Sequence, residues 1–297
     1  MSPALIVLLL AVSAALIAFG ISVSRDLPAL PVDLSAVERK VRRSLWRHPK
    51  VKRFLNERFD RKSAGGFLLT ASLAVLFVVA VFVGLVLDMI DNQSGLAAAD
   101  RSVAAWGSRN GSSATATAMK WITQLGASAV IAAALVLTAS IDFARRRSWE
   151  VFAFVAAIGV GVLLLNNLLK LIVHRERPTV LQLVTAHGYS FPSGHTASAT
   201  ATWLAIALLF GRDRSRVTRS VLIGGAVLIA ISVAASRALL GVHWLTDVIA
   251  GFALGGGWFM IVAIIFGGRV QRLGDPITDN PQGTTPAADA GLEPVRE

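Results

Sequence analysis

Cysteine is missing from all 297 positions, which excludes disulfides and thiolate metal sites and leaves helix packing to hold any fold. Charge is scarce as well: 16% of residues are charged against 54% hydrophobic, and mean hydropathy is +0.63. That balance excludes an ordinary soluble domain and fits a multispanning membrane protein. Acids are the scarcer sign, 18 against 29 bases, for a net charge of +11. The surplus does not mark a nucleic-acid partner, because the bases cluster beside apolar runs, where they orient the chain and meet anionic headgroups. No internal repeat is evident.

What the chain has instead is long uncharged runs, at 3–24, 66–87, 121–141, 151–169, 196–211, 220–236 and 248–268. Most approach the roughly 20 residues that cross a bilayer, giving seven candidate spans. The run 196–211 is short and reads as a helix starting just below the interface. The stretch from Arg39 to Lys62 carries eleven Lys and Arg, which makes it cytoplasmic by the positive-inside rule. The same rule puts Arg145–Arg147 inside, and likewise Arg212, Arg214, Arg216 and Arg219. Segment 88–120 balances Asp88, Asp91 and Asp100 against Arg101, Arg109 and Lys120, so it lies outside. One alternating topology satisfies every loop.

The expected organisation is an all-α polytopic membrane helix bundle in four parts. Residues 1–24 form an N-terminal transmembrane anchor, retained because Met1–Pro3 offer no positive n-region and the run exceeds a usual signal-peptide core. Residues 25–64 form a basic cytoplasmic connector whose Leu34, Val37, Val41, Leu45, Leu55 and Phe59 recur at helical spacing, broken by Pro49. Residues 65–268 form a six-span core. Residues 269–297, with Pro276, Pro281, Pro286 and Pro294 and no apolar periodicity, form a disordered cytoplasmic tail.

Three stretches at span ends, all on the outer side in this topology, carry the chemistry. In 170–178 (KLIVHRERP), Lys170 and Arg177 would lie about two turns apart on one face of a continuing helix, which Pro178 discourages from going further. Each cation taken alone is better explained by snorkelling to headgroups, and Arg175 is read that way. In 191–195 (FPSGH), Pro192 sets a turn, and Ser193 and Gly194 offer a hydroxyl and unhindered N–H groups where a helix begins. Orphan donors and partial positive charge make such a start a phosphate seat, although Ser193 also suits a simple helix cap. His195 sits beside those donors, where it can protonate a leaving oxygen. In 236–247 (SRALLGVHWLTD), Arg237 suits bidentate phosphate contact, and Asp247 follows His243 by one helical turn. A carboxylate on one ring nitrogen fixes the tautomer and frees the other nitrogen as a nucleophile. A local hydrogen-bonded pair or a metal ligand is the other reading of that spacing, and the shortage of nearby carboxylates and histidines weakens the metal.

Among the remaining polar and small residues, Gly251 and Gly255 are assigned to close helix packing. Asn166 and Asn167 are either support for the site or interhelical bonds, His187 and Tyr189 are solvated loop residues, and 98–106 is a short interfacial helix with Trp106 at headgroup depth.

Lys-x6-Arg-Pro, Pro-Ser-Gly-His and Ser-Arg-x5-His-x3-Asp, in this order, resemble the three-part signature of the type 2 phosphatidic acid phosphatase family, with every signature position matched. The resemblance covers the six spans from 66 to 268. It implies a six-helix bundle and a metal-independent phosphatase working through a phosphohistidine, with no cofactor. Carried over by motif position, it implies that His243 attacks phosphorus, Asp247 orients it, and His195 protonates the leaving group. Lys170, Arg177, Ser193, Gly194 and Arg237 then bind phosphoryl oxygens.

The expected substrate is a membrane lipid phosphate: undecaprenyl diphosphate, phosphatidic acid or phosphatidylglycerol phosphate. The expected location is the inner (plasma) membrane, with the site on the extracytoplasmic face. Partners are the lipid and the bilayer; the oligomeric state is open. A phosphotransferase using the same site is the alternative, and an anion transporter is disfavoured because no cation lies mid-span. Soluble vanadate haloperoxidases share the signature but not the apolar runs.

Overall fold

The structure is a computed structural model that describes residues 64–110, 112–180 and 182–274. The expected anchor, nearly all of the basic connector, and the tail beyond 274 lie outside the described residues; 269–274, expected to open the disordered tail, instead continue the last helix. The elements in order are α1 (Ala64–Asp91), a 3-10 turn (Gly95–Ala99), α2 (Asp100–Asn110), α3 (Ser113–Gln124), α4 (Ser128–Arg146), α5 (Glu150–Val173), α6 (Gly194–Gly211), α7 (Arg216–Leu239) and α8 (Leu245–Gly274). Helices and turns account for the regular structure among the described residues.

Among the described residues, five segments are long and apolar enough to cross a membrane: Ala71–Asp91 of α1, α4, α5, α7 and Leu245–Phe266 of α8. Leu76, Phe77 and Val78 on α1, Leu164, Leu168 and Ile172 on α5, and Val221 on α7 stand exposed on these helices, as side chains facing acyl chains must. Exposed Trp121 and Trp149 sit at helix ends suited to an aromatic belt.

The run expected as a sixth core span, 196–211, becomes α6, whose 18 residues are not among the segments apolar enough to face lipid. Its composition explains why. Alternating Ala, Thr and Ser bury Ala197, Ala199, Thr200, Ala201, Thr202 and Ala205 against α4, α5, α7 and α8, so α6 is the centre of the bundle. Lipid tails are as apolar as Leu, so close packing of small residues drives such contact. A Cβ on Gly251 would lie 2.6 Å from the Ser193 carbonyl oxygen, and one on Gly255 would lie 2.3 Å from that of Ala197. The Gly-x3-Gly spacing therefore brings the α8 backbone onto α6, as the sequence led us to expect.

The run 121–141 is corrected. It is no single span: α3 ends at Gln124, a turn follows, and α4 starts at Ser128. Trp203 Nε1 of α6 donates to the Leu125 carbonyl at 3.0 Å, fastening that turn to the bundle centre. The expected short outer helix at 98–106 falls on the end of the 3-10 turn and on α2, which packs on α7.

At one end of the bundle, Asp142 pairs with Arg146 at 3.1 Å and Arg212 at 3.8 Å, and Arg146 also meets Asp213. These residues close the C-terminal ends of α4 and α6. The 18 residues of α6 span about 27 Å, so its N-terminus, with the motif residues, lies at the opposite end.

Candidate active site

Five elements meet where α6 begins. Helix α5 delivers Lys170 and stops at Val173, because His174 takes a left-handed conformation at φ 51° and caps the chain. The two-turn helical spacing considered for Lys170 and Arg177 is thus not the route: Arg177 arrives on the loop that follows. Its five N–H donors are all engaged. Nε donates to the Gly188 carbonyl at 2.9 Å, and Nη2 to those of His187 at 2.9 Å and Tyr189 at 3.3 Å. Nη1 donates to the Val242 carbonyl at 2.7 Å and lies 3.3 Å from His243 Nε2. Arg177 therefore both folds the loop and faces the histidine. Burial lowers its guanidinium below the usual value, against an opposing pull from Asp247.

Ser193, fully buried, is the N-cap of α6, yet its side chain makes no capping bond. Its Oγ instead accepts from Thr196 Oγ1 at 3.0 Å, and its backbone N–H donates to the Asp247 carbonyl at 3.0 Å. Gly194 opens the helix against Asn166, since a Cβ there would meet Asn166 Nδ2 at 3.0 Å. Asn166 is thus placed beneath the helix start, buried, with its Oδ1 unpartnered among the described residues.

Arg237, in the last turn of α7, is 6% exposed. Nη1 donates to Thr123 Oγ1 of α3 at 3.2 Å, and Nε is buried with no hydrogen-bond partner among the described residues. A buried guanidinium with a donor in hand is an anion site by its chemistry.

His243 lies between α7 and α8, 2% exposed. Its Nδ1 is 3.4 Å from Asp247 Oδ2, in ion-pair range but outside hydrogen-bond geometry. Burial holds the imidazole down at about 4, with the neighbouring Arg237 and Arg177 charges adding to that and Asp247 opposing it. The ring is neutral at neutral pH, with a lone pair available. Asp247, fully buried, occupies the third position of α8, where its Oδ2 accepts the Trp244 N–H at 2.9 Å. This is the reciprocal half of a capping box, so the start of the helix fixes the carboxylate.

A cavity of about 520 Å³ joins these pieces, lined by Lys170, Arg177, Gly194, His195, Arg237 and His243 together with Lys120, Thr123, Gln124 and His187. All three expected cations, both histidines and Gly194 therefore share one chamber, with Ser193 and Asp247 directly behind. Four cations, Lys120, Lys170, Arg177 and Arg237, line the chamber, and the oxygens of the one carboxylate behind it are already bonded, an excess that favours an anion. Four groups escaped the sequence reading. Thr123 and Lys120 come from α3, His187 lines the chamber rather than serving only as a loop residue, and Arg175 is no snorkelling cation. Arg175 Nη1 donates to Asp247 Oδ1 at 2.6 Å, and Nη2 to Asp100 Oδ2 at 2.7 Å.

Residues 149–271 match the PAP2 superfamily. Phosphatidylglycerophosphatase B of Bacillus subtilis is 36% identical over 147 residues, covering 48% of this chain and 71% of that protein. Decaprenylphosphoryl-5-phosphoribose phosphatase of Mycobacterium tuberculosis is 40% identical over 133 residues, covering 42% of this chain and 65% of that one. Lipid A 1-phosphatase of Rhizobium etli is 34% identical over 113 residues, covering 35% of this chain and 45% of that one. The crystal structure of a transmembrane PAP2-type phosphatidylglycerolphosphate phosphatase from Bacillus subtilis superimposes with a TM-score of 0.60 at 30% identity, over 66% of this chain and 97% of that one. The chain, a multi-pass membrane protein, belongs to the PAP2 superfamily of membrane lipid phosphatases.

Proposed function

We propose that this protein removes phosphate from a membrane lipid by transferring it first to His243 and then to water. The observation that carries the reading is the single chamber holding Lys170, Arg177, Arg237, His195 and His243 at the N-terminus of α6. His243 Nε2 attacks phosphorus, forming a P–N bond as the P–O bond to the leaving group breaks. His195 gives its proton to the departing oxygen. Water, losing a proton to His195, then attacks the phosphohistidine; the P–N bond breaks and inorganic phosphate leaves.

Asp247 holds the imidazole with Nε2 toward phosphorus. Lys170, Arg237, the Ser193 hydroxyl and the Gly194 N–H at the start of α6 neutralise the phosphoryl oxygens. Arg177 exchanges its contact with His243 Nε2 for a phosphoryl oxygen when substrate enters. Residues 65–268 act as the catalytic unit, with 1–24 as an anchor, 25–64 as a cytoplasmic connector and 269–297 as a tail.

The relatives' names, phosphatidylglycerophosphatase and decaprenylphosphoryl-5-phosphoribose phosphatase, support a phosphomonoester on a lipid carrier. Undecaprenyl diphosphate and phosphatidic acid fit the same chamber chemistry. The arginine-rich end opposite the site supports an extracytoplasmic active site in the plasma membrane, by the positive-inside rule. The test is phosphate release by purified protein from phosphatidylglycerol phosphate, phosphatidic acid and undecaprenyl diphosphate, each with EDTA. Turnover of at least one lipid, blocked by vanadate, is expected. Release only after divalent metal is added contradicts the mechanism.

A further inference from the structure

Asp247 is fully buried, and beyond its histidine the one cation in ion-pair range among the described residues is Arg175. That guanidinium is itself held from three sides. Nη2 donates to Asp100 Oδ2 at 2.7 Å, and Nη1 donates to Thr246 Oγ1 at 2.7 Å and to Asp247 Oδ1 at 2.6 Å. Its carbon lies 5.4 Å from the Trp244 ring centre, and Trp244 Nε1 donates to the neighbouring Glu176 carbonyl at 2.9 Å.

Asp100, 3% exposed at the start of α2, closes the set. Its Oδ1 accepts the Thr246 N–H at 2.9 Å and its Oδ2 accepts the Thr246 hydroxyl at 2.6 Å. The first turn of α8 is therefore capped by a carboxylate from another helix, and both carboxylates share one guanidinium. A planar fork with donors on two nitrogens bridges two acids in one fixed geometry, which the single, freely rotating nitrogen of a lysine does not impose.

We propose that Arg175 is a positioning residue for phosphoryl transfer: braced by Asp100 and Thr246, it fixes the Asp247 carboxylate at the distance from which that carboxylate orients His243. The inference rests on the reading of His243 as nucleophile. It assigns a task to a residue outside the chamber, since Arg175 touches neither Lys170 nor Arg237 and is not part of the cavity wall. Acting through Asp247, it alters turnover and leaves phosphate binding alone.

The test uses the full chain in detergent, with short-chain phosphatidic acid in mixed micelles as substrate and inorganic phosphate as competing ligand. Arg175→Ala is expected to lower kcat about 100-fold or more, the scale on which orienting groups act, while KM and phosphate inhibition stay within about two-fold. Arg175→Lys, which keeps charge but not the fork, recovers part of that loss. In an Asp247→Asn background, Arg175→Ala costs less than about three-fold, because the route through Asp247 is already cut.

The proposal is overturned if Arg175→Ala turns over at the wild-type rate, weakens phosphate inhibition in step with kcat, or costs as much in the Asp247→Asn background as in wild type. Should Arg175→Ala fail to yield folded protein by size exclusion, Arg175→Lys and Asp100→Asn carry the same comparison. His243→Ala separates the two ideas. If it keeps turnover, the nucleophile reading fails. If it is inactive while Arg175→Ala is unimpaired, only the positioning role fails.

Discussion

His243 Nδ1 lies 3.4 Å from Asp247 Oδ2, one helical turn further along the chain. The carboxylate cannot swing away, because Trp244 and Arg175 hold its two oxygens from opposite sides at 2.9 and 2.6 Å. The histidine's orientation is thus inherited from the way α8 begins. Asp247→Asn keeps the shape but presents an amide, and kcat should fall about 10³–10⁴-fold, the cost seen when an orienting carboxylate of this kind is lost. Steady-state phosphate release measures it; a loss under about tenfold contradicts the role.

Acid should unfold this protein partly through His243. Its folded-state value of about 4 lies below the ordinary 6.5, so the unfolded chain takes up the proton first. The stabilising contribution is full above 6.5 and is lost as pH falls through about 4. His243→Gln has no such proton to take up. Thermal melts in detergent should fall more steeply for wild type than for the variant across this window; parallel curves would show that burial does not shift the group.

Close packing of α8 on α6 predicts a contrast between two glycines. Gly251→Ala forces its methyl against the Ser193 carbonyl, 2.6 Å away, and should cost about 1–3 kcal/mol together with at least about tenfold in activity, since Ser193 belongs to the phosphate seat. Gly225→Ala, with nothing within 4 Å of the added carbon, should be neutral or slightly stabilising. Melting temperature and phosphate release of the pair decide the matter; equal effects would mean that the contact does not govern the site.

Arg237 meets Thr123 through one nitrogen while its Nε has no partner among the described residues. Arg237→Lys retains charge and loses the planar fork. Phosphate inhibition should weaken about tenfold, with kcat/KM falling by at least as much, because bidentate recognition is replaced by a point charge. An unchanged inhibition constant would remove Arg237 from the seat.

Much of this architecture is written locally. The spans follow from uncharged runs, and the chamber follows from three motifs whose residues are close in sequence. Arg175 was opaque because its partners are distant: Asp100 lies 75 positions away and Asp247 72. A single arginine at a span end carries no mark of a buried acid waiting for it. Thr123, 114 positions from Arg237, was hidden for the same reason.

The break between α3 and α4 was hidden differently. Its turn is made of Leu125, Gly126 and Ala127, apolar enough to continue the run. Gly126 is required there by proximity, since a Cβ would lie 2.7 Å from the His195 carbonyl oxygen. Helix α6 looked like a weak span because its small polar residues face protein. Hydropathy measures affinity for lipid and is silent about packing at a bundle centre.

The most direct measurement is to capture the phosphorylated enzyme. Rapid acid-free quenching after mixing purified protein with a lipid carrying radiolabelled phosphate, followed by peptide mapping, should place an acid-labile, base-stable label on His243. His243→Ala should carry none and release no phosphate. Label on another residue, or steady turnover by His243→Ala, would contradict the account.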